Sequence, residues 1–309
     1  MSPEKLSVEK LHPLTGHQGA VYALEHSEES NCFFSGGGDR YVTRWDIMNR
    51  QQPEAIIMAQ STVYSLCFIA QKNLLVIGEL TGASHVIDLK SKNEIKNITL
   101  HKAGVFDIKY SPNNNFFLTT SGDGTFAAWD ADTFQLIIQQ KLCDAKVRSV
   151  DFNKEETLIA FACGDGTISL YDSKSLKEFQ RLDAHELSTN CVKFHPDGKH
   201  LLSGGRDAHL RIWKSAENFQ MLTEIPAHNY AIYKIVFSPD GNFFATASRD
   251  KTVKLWNADD ASILLRLDKE KFSGHLNSVN TLLWTENNFL ISGSDDRSII
   301  VWRVGEKNF

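Results

Sequence analysis

The sequence predicts an all-β fold, a closed seven-bladed β-propeller with four antiparallel strands in each blade. Two observations lead to this prediction. A landmark residue, usually aromatic and followed by a polar residue, recurs at the end of strand-like runs about every 42 positions, and seven such units fill the chain. Within each unit, short runs alternate apolar and polar residues, which is typical of half-buried strands.

The spacing of the landmark is nearly constant. Trp45 and Trp129 are separated by two steps of 42 positions with Ile87 at the midpoint, and the later steps are 42, 42, 43 and 46. Repeats of about 40–45 residues with four strands are typical of propeller blades, so residues 1–309 are predicted to form a single seven-bladed domain. The aromatic landmarks are Trp45, Trp129, Tyr171, Trp213, Trp256 and Trp302.

The fifth unit shows the predicted blade most clearly. The runs NCVKFHP, HLLSGG, HLRIW and FQMLTEI alternate as strands do, and Asp197-Gly198 separates the first two. An Asp-Gly pair between alternating runs is a strong hairpin signal, because both residues tolerate positive φ. The sixth unit repeats the arrangement with Asp240-Gly241.

The two ends of the chain are predicted to share the last blade. Only seven residues follow Trp302, too few for a fourth strand and its loop, whereas 16 residues precede His17 and include the strand-like run KLSVEKLHPL. The N-terminal run is therefore predicted to supply the missing outer strand. This strand would close the ring and leave no open face between the first and last blades.

Composition and charge are those of a globular protein without a membrane span. The chain is 42% hydrophobic and 23% charged with a formal charge of −5, and it has no stretch of 18 apolar residues. Its first ten residues carry charges where a signal peptide would be apolar, so we expect a cytoplasmic protein, with the nucleus included if the source is eukaryotic. The mild negative charge argues against a general nucleic-acid coat.

The five cysteines are isolated from one another and form no C-x-x-C pair. The favoured interpretation is buried small hydrophobes in a reducing compartment, and the alternative is disulfides or metal ligands. The sequence has no Gly-rich phosphate loop, zinc-type spacing or HExxH motif, so it predicts no catalytic residue, metal or cofactor. The cysteines are Cys32, Cys67, Cys143, Cys163 and Cys191.

Histidine, a hydroxyl residue, aspartate and tryptophan recur together in five units. The aspartate follows the histidine by 22 positions in four of them and by 21 in the seventh, and the tryptophan always follows the aspartate by six. A catalytic triad needs one exposed nucleophile beside an oxyanion hole, which five copies around a ring do not match. A buried structural network fits better. The sets are His17, Ser35, Asp39 and Trp45; His101, Thr119, Asp123 and Trp129; His185, Ser203, Asp207 and Trp213; His228, Thr246, Asp250 and Trp256; and His275, Ser292, Asp296 and Trp302.

In these motifs the chain resembles the WD-repeat family over essentially its whole length. Gly16-His17 and Gly274-His275 match the Gly-His pair of the family, and Trp45-Asp46 and Trp129-Asp130 match its Trp-Asp pair. The resemblance implies a structural tetrad in which the indole N–H donates to the hydroxyl, the hydroxyl to the imidazole, and the imidazole to the aspartate. An unpaired member of such a buried set would cost about 1–3 kcal/mol.

Two units depart from the tetrad pattern. The second has Thr81 in place of the aspartate, Ile87 in place of the tryptophan, and no histidine. The fourth keeps Asp165 but has Cys143 in place of the histidine and Phe161 in place of the hydroxyl residue. Because a half-kept polar network is worse than none, we expect mainly apolar packing to hold both blades.

The resemblance also implies a set of residues at the wider mouth of a central channel. Four of seven positions beside the inner strands are aromatic, and basic residues cluster on blades four to six opposite one acid on blade seven. Such a mouth favours a partner segment with negative or phosphorylated side chains. The alternative is a solvated rim whose aromatics pack partly on their neighbours. The predicted partner-binding residues, called the mouth set below, are Tyr22, Tyr64, Phe106, Lys146, Arg148, Asn190, Arg206, Tyr233, Arg249, Asn280 and Asp295.

Function is therefore predicted to lie on a surface. The leading hypothesis is a protein-interaction scaffold or adaptor, not an enzyme, that binds a peptide segment or partner domain at the mouth. The alternatives are association with nucleic acid through the basic arc of blades four to six, and an enzyme with an unrecognised site. The stretch from Trp256 to His275 contains about four extra residues around DKEKF, either a contact loop or tolerated surface variation.

Overall fold

The computed structural model describes residues 6–49 and 53–306. Within them, 28 strands pair into seven antiparallel sheets of four strands each. The predicted seven-bladed, nearly all-β fold is therefore confirmed. No helix of these residues is long and apolar enough to cross a bilayer. The first strand is β1 (Leu6–Leu14), and blades one to three contain β2 (Val21–His26), β3 (Cys32–Gly37), β4 (Tyr41–Asp46), β5 (Glu54–Met58), β6 (Val63–Ile69), β7 (Leu74–Glu79), β8 (Ala83–Asp88), β9 (Asn93–Thr99), β10 (Val105–Ser111), β11 (Phe116–Ser121), β12 (Thr125–Asp130) and β13 (Leu136–Lys141).

Tight turns join the strands of each blade. The two predicted Asp-Gly pairs lie between first and second strands, and Gly198 and Gly241 both have a φ of 72°. This conformation strains residues that carry a Cβ, which explains the glycine at both places.

Blades four to seven contain β14 (Val147–Phe152), β15 (Leu158–Cys163), β16 (Thr167–Asp172), β17 (Lys177–Asp183), β18 (Thr189–Phe194), β19 (His200–Gly205), β20 (His209–Lys214), β21 (Gln220–Pro226), β22 (Ile232–Phe237), β23 (Phe243–Ser248), β24 (Val253–Asn257), β25 (Ile263–Leu267), β26 (Val279–Trp284), β27 (Phe289–Ser294) and β28 (Ile299–Glu306).

Blade seven is completed by the first strand of the chain. β1 pairs antiparallel with β28, from Leu6 opposite Glu306 to Leu14 opposite Ile299. Leu6 and Leu14 are both buried, so the strand contributes apolar contacts as well as hydrogen bonds. The predicted N-terminal closure is confirmed, and of the predicted run KLSVEKLHPL only Lys5 lies outside the described residues.

The innermost strands of neighbouring blades contact one another around the channel, and β26 of blade seven contacts β2 of blade one. Asparagine side chains join two of these pairs. Asn190 Nδ2 donates to Ile232 O of the next blade, and Asn280 Nδ2 donates to Val21 O, each at 3.1 Å. The second of these bonds links the last blade to the first.

The hydrophobic core is divided among the interfaces between blades. One cluster joins Phe33 and Trp45 of blade one to Ile291, Ile299 and Val301 of blade seven, all of them buried. Each of the other six interfaces has a cluster of the same kind. Every blade is therefore stabilised by both of its neighbours, and an open ring would expose two of these surfaces to water.

The insertion before the seventh unit forms a short helix, α1 (Lys269–Phe272). The Asp268 side chain accepts a hydrogen bond from the Lys271 backbone N–H at 2.9 Å and so caps its first turn. Phe272 packs against the core between blades six and seven, and Lys10 Nζ of β1 donates to Ser273 O at 2.5 Å. The extra residues therefore contact the closing strand.

Candidate functional site

Five blades contain a buried hydrogen-bonded network of indole, hydroxyl, imidazole and carboxylate. In blade five, Trp213 Nε1 donates to Ser203 Oγ (3.0 Å), which lies 2.9 Å from His185 Nε2. Asp207 lies 3.0 Å from His185 Nδ1. An ionised carboxylate only accepts, so the pairing with Asp207 places the imidazole proton on Nδ1, and Nε2 accepts from the hydroxyl. Blade five also has the Arg211 guanidinium beside His185 Nδ1, and it donates to Asp207 Oδ2 at 2.8 Å. Every polar group of this tetrad is paired.

Blades one, six and seven have the same geometry. Their indole-to-hydroxyl distances are 2.7, 2.9 and 3.0 Å, and their carboxylates lie 2.8, 2.9 and 3.0 Å from imidazole Nδ1. Blade three differs at one step. His101 Nδ1 is 3.5 Å from Asp123 but 3.0 Å from Thr125 Oγ1, which donates to Asp123. The threonine therefore bridges the imidazole and the carboxylate in that blade.

Burial makes these networks unsuitable as catalytic triads. A triad nucleophile must reach a substrate carbonyl, and its attack requires an oxyanion hole beside it. None of the five hydroxyl residues has any exposed surface, so no substrate reaches them in the folded chain. These residues are Ser35, Thr119, Ser203, Thr246 and Ser292.

The environment also determines the charge of the networks. Burial lowers the pKa of His185 and His228, in spite of the nearby carboxylates. Burial disfavours the ionised forms of Asp207 and Asp250, but the hydrogen bonds from the imidazoles hold the pKa of both carboxyls well below the usual range. The combination of neutral imidazole and ionised carboxylate is the one that the hydrogen bonds require.

Blade two has a polar network of its own besides the buried apolar clusters on both of its faces, which agree with the expectation that mainly apolar packing holds it. Glu79 is 1% exposed, and its carboxylate accepts from the Gln60 backbone N–H (2.7 Å) and from Thr81 Oγ1 (3.1 Å). His85 Nε2 lies 3.3 Å from the same carboxylate. In blade one, the Asp39 carboxylate accepts in the same way from the backbone N–H of Gln18, the residue after the tetrad histidine. Glu79 therefore replaces the missing aspartate from a position two residues earlier.

Blade four is held by aromatic packing where the other blades have the tetrad. Phe161 stacks on Phe126 of blade three with ring centroids 4.5 Å apart. Tyr171 meets both rings edge-on at 5.3 Å. Edge-to-face contacts of this kind stabilise beyond the burial of area alone. The expected apolar packing is present in this blade.

One group of side chains in the described residues has the chemistry of metal ligands. The ligand atoms of Cys143, Cys163 and Asp165 all lie within 4.8 Å of one another. All five cysteines are buried, as the sequence predicted. Cys143 and Cys163, which are 20 positions apart in the sequence, lie close together in the fold.

The mouth set surrounds one end of a central channel of about 620 Å³. Nine of its eleven residues line this channel, and the other two, Arg206 and Arg249, are exposed. Leu80, which the repeat period places before its turn as it does the two arginines but which is not in the mouth set, also lines the channel and is exposed.

Three aromatic rings form a continuous arc along the mouth. The ring centroids of Tyr22 and Tyr64 are 5.0 Å apart, and those of Tyr64 and Phe106 are 5.2 Å apart. All three side chains are partly exposed in the channel. We call these three residues the aromatic arc.

Two cations continue the aromatic arc onto blade four. Lys146 Nζ lies 5.4 Å and the Arg148 guanidinium carbon 5.5 Å from the centre of the Phe106 ring, a cation–π arrangement. Burial, together with the charge of Arg206, lowers the pKa of Arg148, whose guanidinium nevertheless stays charged. Arg148 Nε is buried and has no acceptor among the described residues.

Two residues of the mouth set have polar groups that are already hydrogen-bonded within the chain. Asn190 is only 6% exposed, because its amide is turned into the bond with blade six, and it offers little surface to a partner. Asp295 is exposed but accepts a hydrogen bond from Asn280 Nδ2 at 2.7 Å. The single acid opposite the basic residues is therefore partly satisfied within the chain.

The sequence reasoning missed a belt of charges deeper in the channel. Lys193 Nζ lies 2.8 Å from Asp151 Oδ1, and Asp151 Oδ2 accepts from the Phe194 backbone N–H. Burial disfavours the charge of Lys109, but Asp107, Asp151 and other nearby groups outweigh it and raise the pKa of its ammonium. Residues 109, 151 and 193 are 42 positions apart, so the repeat period was a usable signal.

Comparison with known proteins identifies the repeat. The family model described as WD domain, G-beta repeat matches residues 8–46, 92–130, 137–172, 176–214, 219–257 and 268–303. The chain belongs to the WD40 repeat family. The longest unmatched stretch, residues 47–91, includes the first three strands of blade two and its altered network. Propellers of the WD40 family typically serve as scaffolds for protein interactions and are generally not enzymes.

Curated relatives and a solved structure agree with this assignment. The guanine nucleotide-binding protein subunit beta of Zea mays is 28% identical over 224 residues, and that of Solanum tuberosum is 27% identical over 227 residues. Each match covers 67% of this chain and 59% of the relative's length. The WD40 beta propeller domain of Doa1 superposes with a TM-score of 0.83 at 18% identity over 96% of both chains, which shows the fold.

Proposed function

We propose that this WD40 propeller is an adaptor that holds an acidic or phosphorylated segment of a partner protein at the channel mouth. The observation that carries the proposal is the unbroken run of side chains from the aromatic arc to Lys146 and Arg148. Aromatic faces bury the apolar part of a bound segment, and the adjoining cations pair with its negative groups. The mouth set is the proposed contact surface.

The unpaired Arg148 Nε supports an anionic ligand. A buried donor without an acceptor costs about 1–3 kcal/mol, so a group that accepts from it gains affinity. Guanidinium groups bind carboxylates and phosphates in a bidentate manner, and Arg206 and Arg249 expose two more of them on the next two blades. Arg249 also lies over the exposed ring of Tyr230 at 5.9 Å, which repeats the pairing of cation and aromatic ring farther out.

The test compares two charge-matched variants of the full chain as baits for partner proteins. The mouth variant carries Arg148→Glu, Tyr233→Ala and Arg249→Glu. The control variant carries Lys96→Glu, Lys177→Glu and Phe179→Ala, three exposed positions on outer strands of blades two and four. Both variants reverse two cations and remove one aromatic ring. Partners captured by the wild type should be lost with the mouth variant and kept with the control, since each hot-spot residue is worth about 2 kcal/mol or more.

Two further measurements separate the proposal from its competitors. Treatment of captured partners with a phosphatase should weaken their binding if phosphate is the recognised group. Equal capture by the wild type and the mouth variant would show that the mouth is not the binding surface. Tight binding of bare RNA or DNA with a steep loss between low and physiological salt would replace the adaptor proposal with nucleic-acid association.

A further inference from the structure

Blade four places two thiols in the space that an imidazole occupies in the tetrad blades. Cys143 is the counterpart of His185 in blade five, and Cys163 is the counterpart of Gly205, each 42 positions earlier. A Cβ at Gly205 would lie 2.3 Å from His185 Nδ1, so a side chain at this position points into the imidazole space. The histidine-to-cysteine exchange vacates that space, and the Cys163 side chain enters it.

The aspartate of the former tetrad remains beside the two thiols. Asp165 Oδ1 accepts from the backbone N–H and the hydroxyl of Thr167, at 3.1 and 2.7 Å. In blades one and six, the other carboxylate oxygen accepts the backbone N–H that follows the histidine. Across the described residues no such bond reaches Asp165, which is also exposed. One of its carboxylate oxygens therefore remains available next to the sulfurs.

We propose that Cys143, Cys163 and Asp165 form a zinc-binding site at the interface of blades three and four. Their ligand atoms all lie within 4.8 Å of one another, and the edges of a tetrahedral shell with Zn–S bonds of about 2.3 Å are about 3.8 Å, so shifts of about 1 Å or less would bring them onto one ion. Two thiolates select a borderline-soft ion such as Zn²⁺ over Mg²⁺ or Ca²⁺, which prefer oxygen ligands. Three protein ligands leave the fourth position to water, and each coordinating thiol releases its proton to solvent.

The surroundings of the thiols favour this role. Arg181 Nη1 donates to Leu142 O, directly before Cys143, at 3.0 Å. The guanidinium is also paired with Glu178, at 2.8 Å, and interacts electrostatically with Cys163 and Asp165. The site is independent of the mouth set, so its failure would leave the adaptor proposal intact.

The test titrates the reduced, chelator-stripped full chain with Co²⁺ and Zn²⁺. Wild type should bind one ion per chain, and Co²⁺ should produce the thiolate charge-transfer and tetrahedral d–d absorption bands, which Zn²⁺ then removes by displacement. Cys143→Ser and Cys163→Ser should lose these bands, and Asp165→Asn should bind more weakly. Cys67→Ser and Cys191→Ser, two buried cysteines away from the site, are the matched controls and should keep them.

The wild-type spectra decide the question even if a cysteine variant fails to fold. Absence of thiolate–cobalt absorption in folded, reduced wild type would overturn the proposal. So would full retention of the bands in Cys143→Ser. A third overturning result is a chain that binds no ion when reduced and instead forms a Cys143–Cys163 disulfide when treated with oxidised glutathione. Zinc should also raise the melting temperature of wild type but not that of Cys163→Ser.

Discussion

At the scale of single residues, one hydroxyl in each tetrad serves two partners at once. Ser203 Oγ accepts from the Trp213 indole and donates to His185, and the residue has no exposed surface. Water cannot replace the hydroxyl there. Its removal would leave an indole N–H and an imidazole nitrogen unpaired inside the blade.

We therefore predict that Ser203→Ala lowers the free energy of unfolding by about 1–3 kcal/mol. Urea denaturation monitored by tryptophan fluorescence measures this change directly. The matched control is Ser30→Ala, an exposed serine, for which we expect a change within about 0.5 kcal/mol. Equal stabilities of the two variants would refute the structural role of the tetrad.

The residue scale also shows which parts of the sites the sequence could predict. The tetrads were predictable because their members keep fixed spacings within the repeat. The substitute network of blade two was not recognised, because Glu79 lies two positions away from the expected aspartate. The pairing of Cys143 with Cys163 required knowing that a side chain at the position of Gly205 points towards the histidine, which spacing alone does not reveal.

At the scale of elements, β1 is the strand on which ring closure depends. It is paired with β28 from Leu6 to Leu14 with a register shift between Lys10 and His12, and Leu6 and Leu14 are buried. Its pairing was predictable from counting, since the last unit lacks residues for a fourth strand. The helix α1 was not predicted, because a four-residue helix capped by Asp268 leaves too short a periodic signal.

Deletion of residues 1–11 is predicted to destabilise the protein strongly. The deletion removes most of β1 and exposes the edge of β28, and loss of a buried leucine alone costs about 1.5–3 kcal/mol. A melting curve compares the deletion with the wild type. Deletion of residues 1–4, which leaves β1 whole, is the matched control and should change the melting temperature little. An 11-residue deletion that melts with the wild type would show that the strand does not hold the ring.

At the scale of the whole molecule, several blades around the ring contain a buried tetrad whose histidine or aspartate has a lowered pKa. Burial lowers the pKa of His101, His185 and His228, and hydrogen bonds from imidazoles lower the pKa of Asp207 and Asp250 against the effect of burial. In both cases the folded state binds a proton less readily than the unfolded chain does. Stability therefore rises with pH through both ranges.

The free energy of unfolding should accordingly be highest above pH 6.5 and fall on acidification. The buried neutral histidines contribute fully to the free energy of unfolding above about pH 6.5, and this contribution is lost as the pH falls towards their lowered folded-state pKa values. The contribution of the ionised aspartates is lost below about pH 4. Urea titrations at pH 7.5, 5.5 and 4 measure the trend. Mild acidification also reduces the net charge of −5, and the weaker repulsion would by itself raise the free energy of unfolding. A rise in stability between pH 7.5 and 5.5 would therefore contradict the prediction.

The shared sheet of β1 and β28 has a consequence for biosynthesis. The ribosome makes β1 before the other described strands of the propeller and β28 after them, so β1 has no partner until β28 emerges. A chain whose translation stops before Ile299 would be left as an arc with a bare strand edge and an uncovered apolar interface. Such a product is prone to aggregate and is a ready substrate for proteases, so the architecture itself distinguishes finished copies from truncated ones.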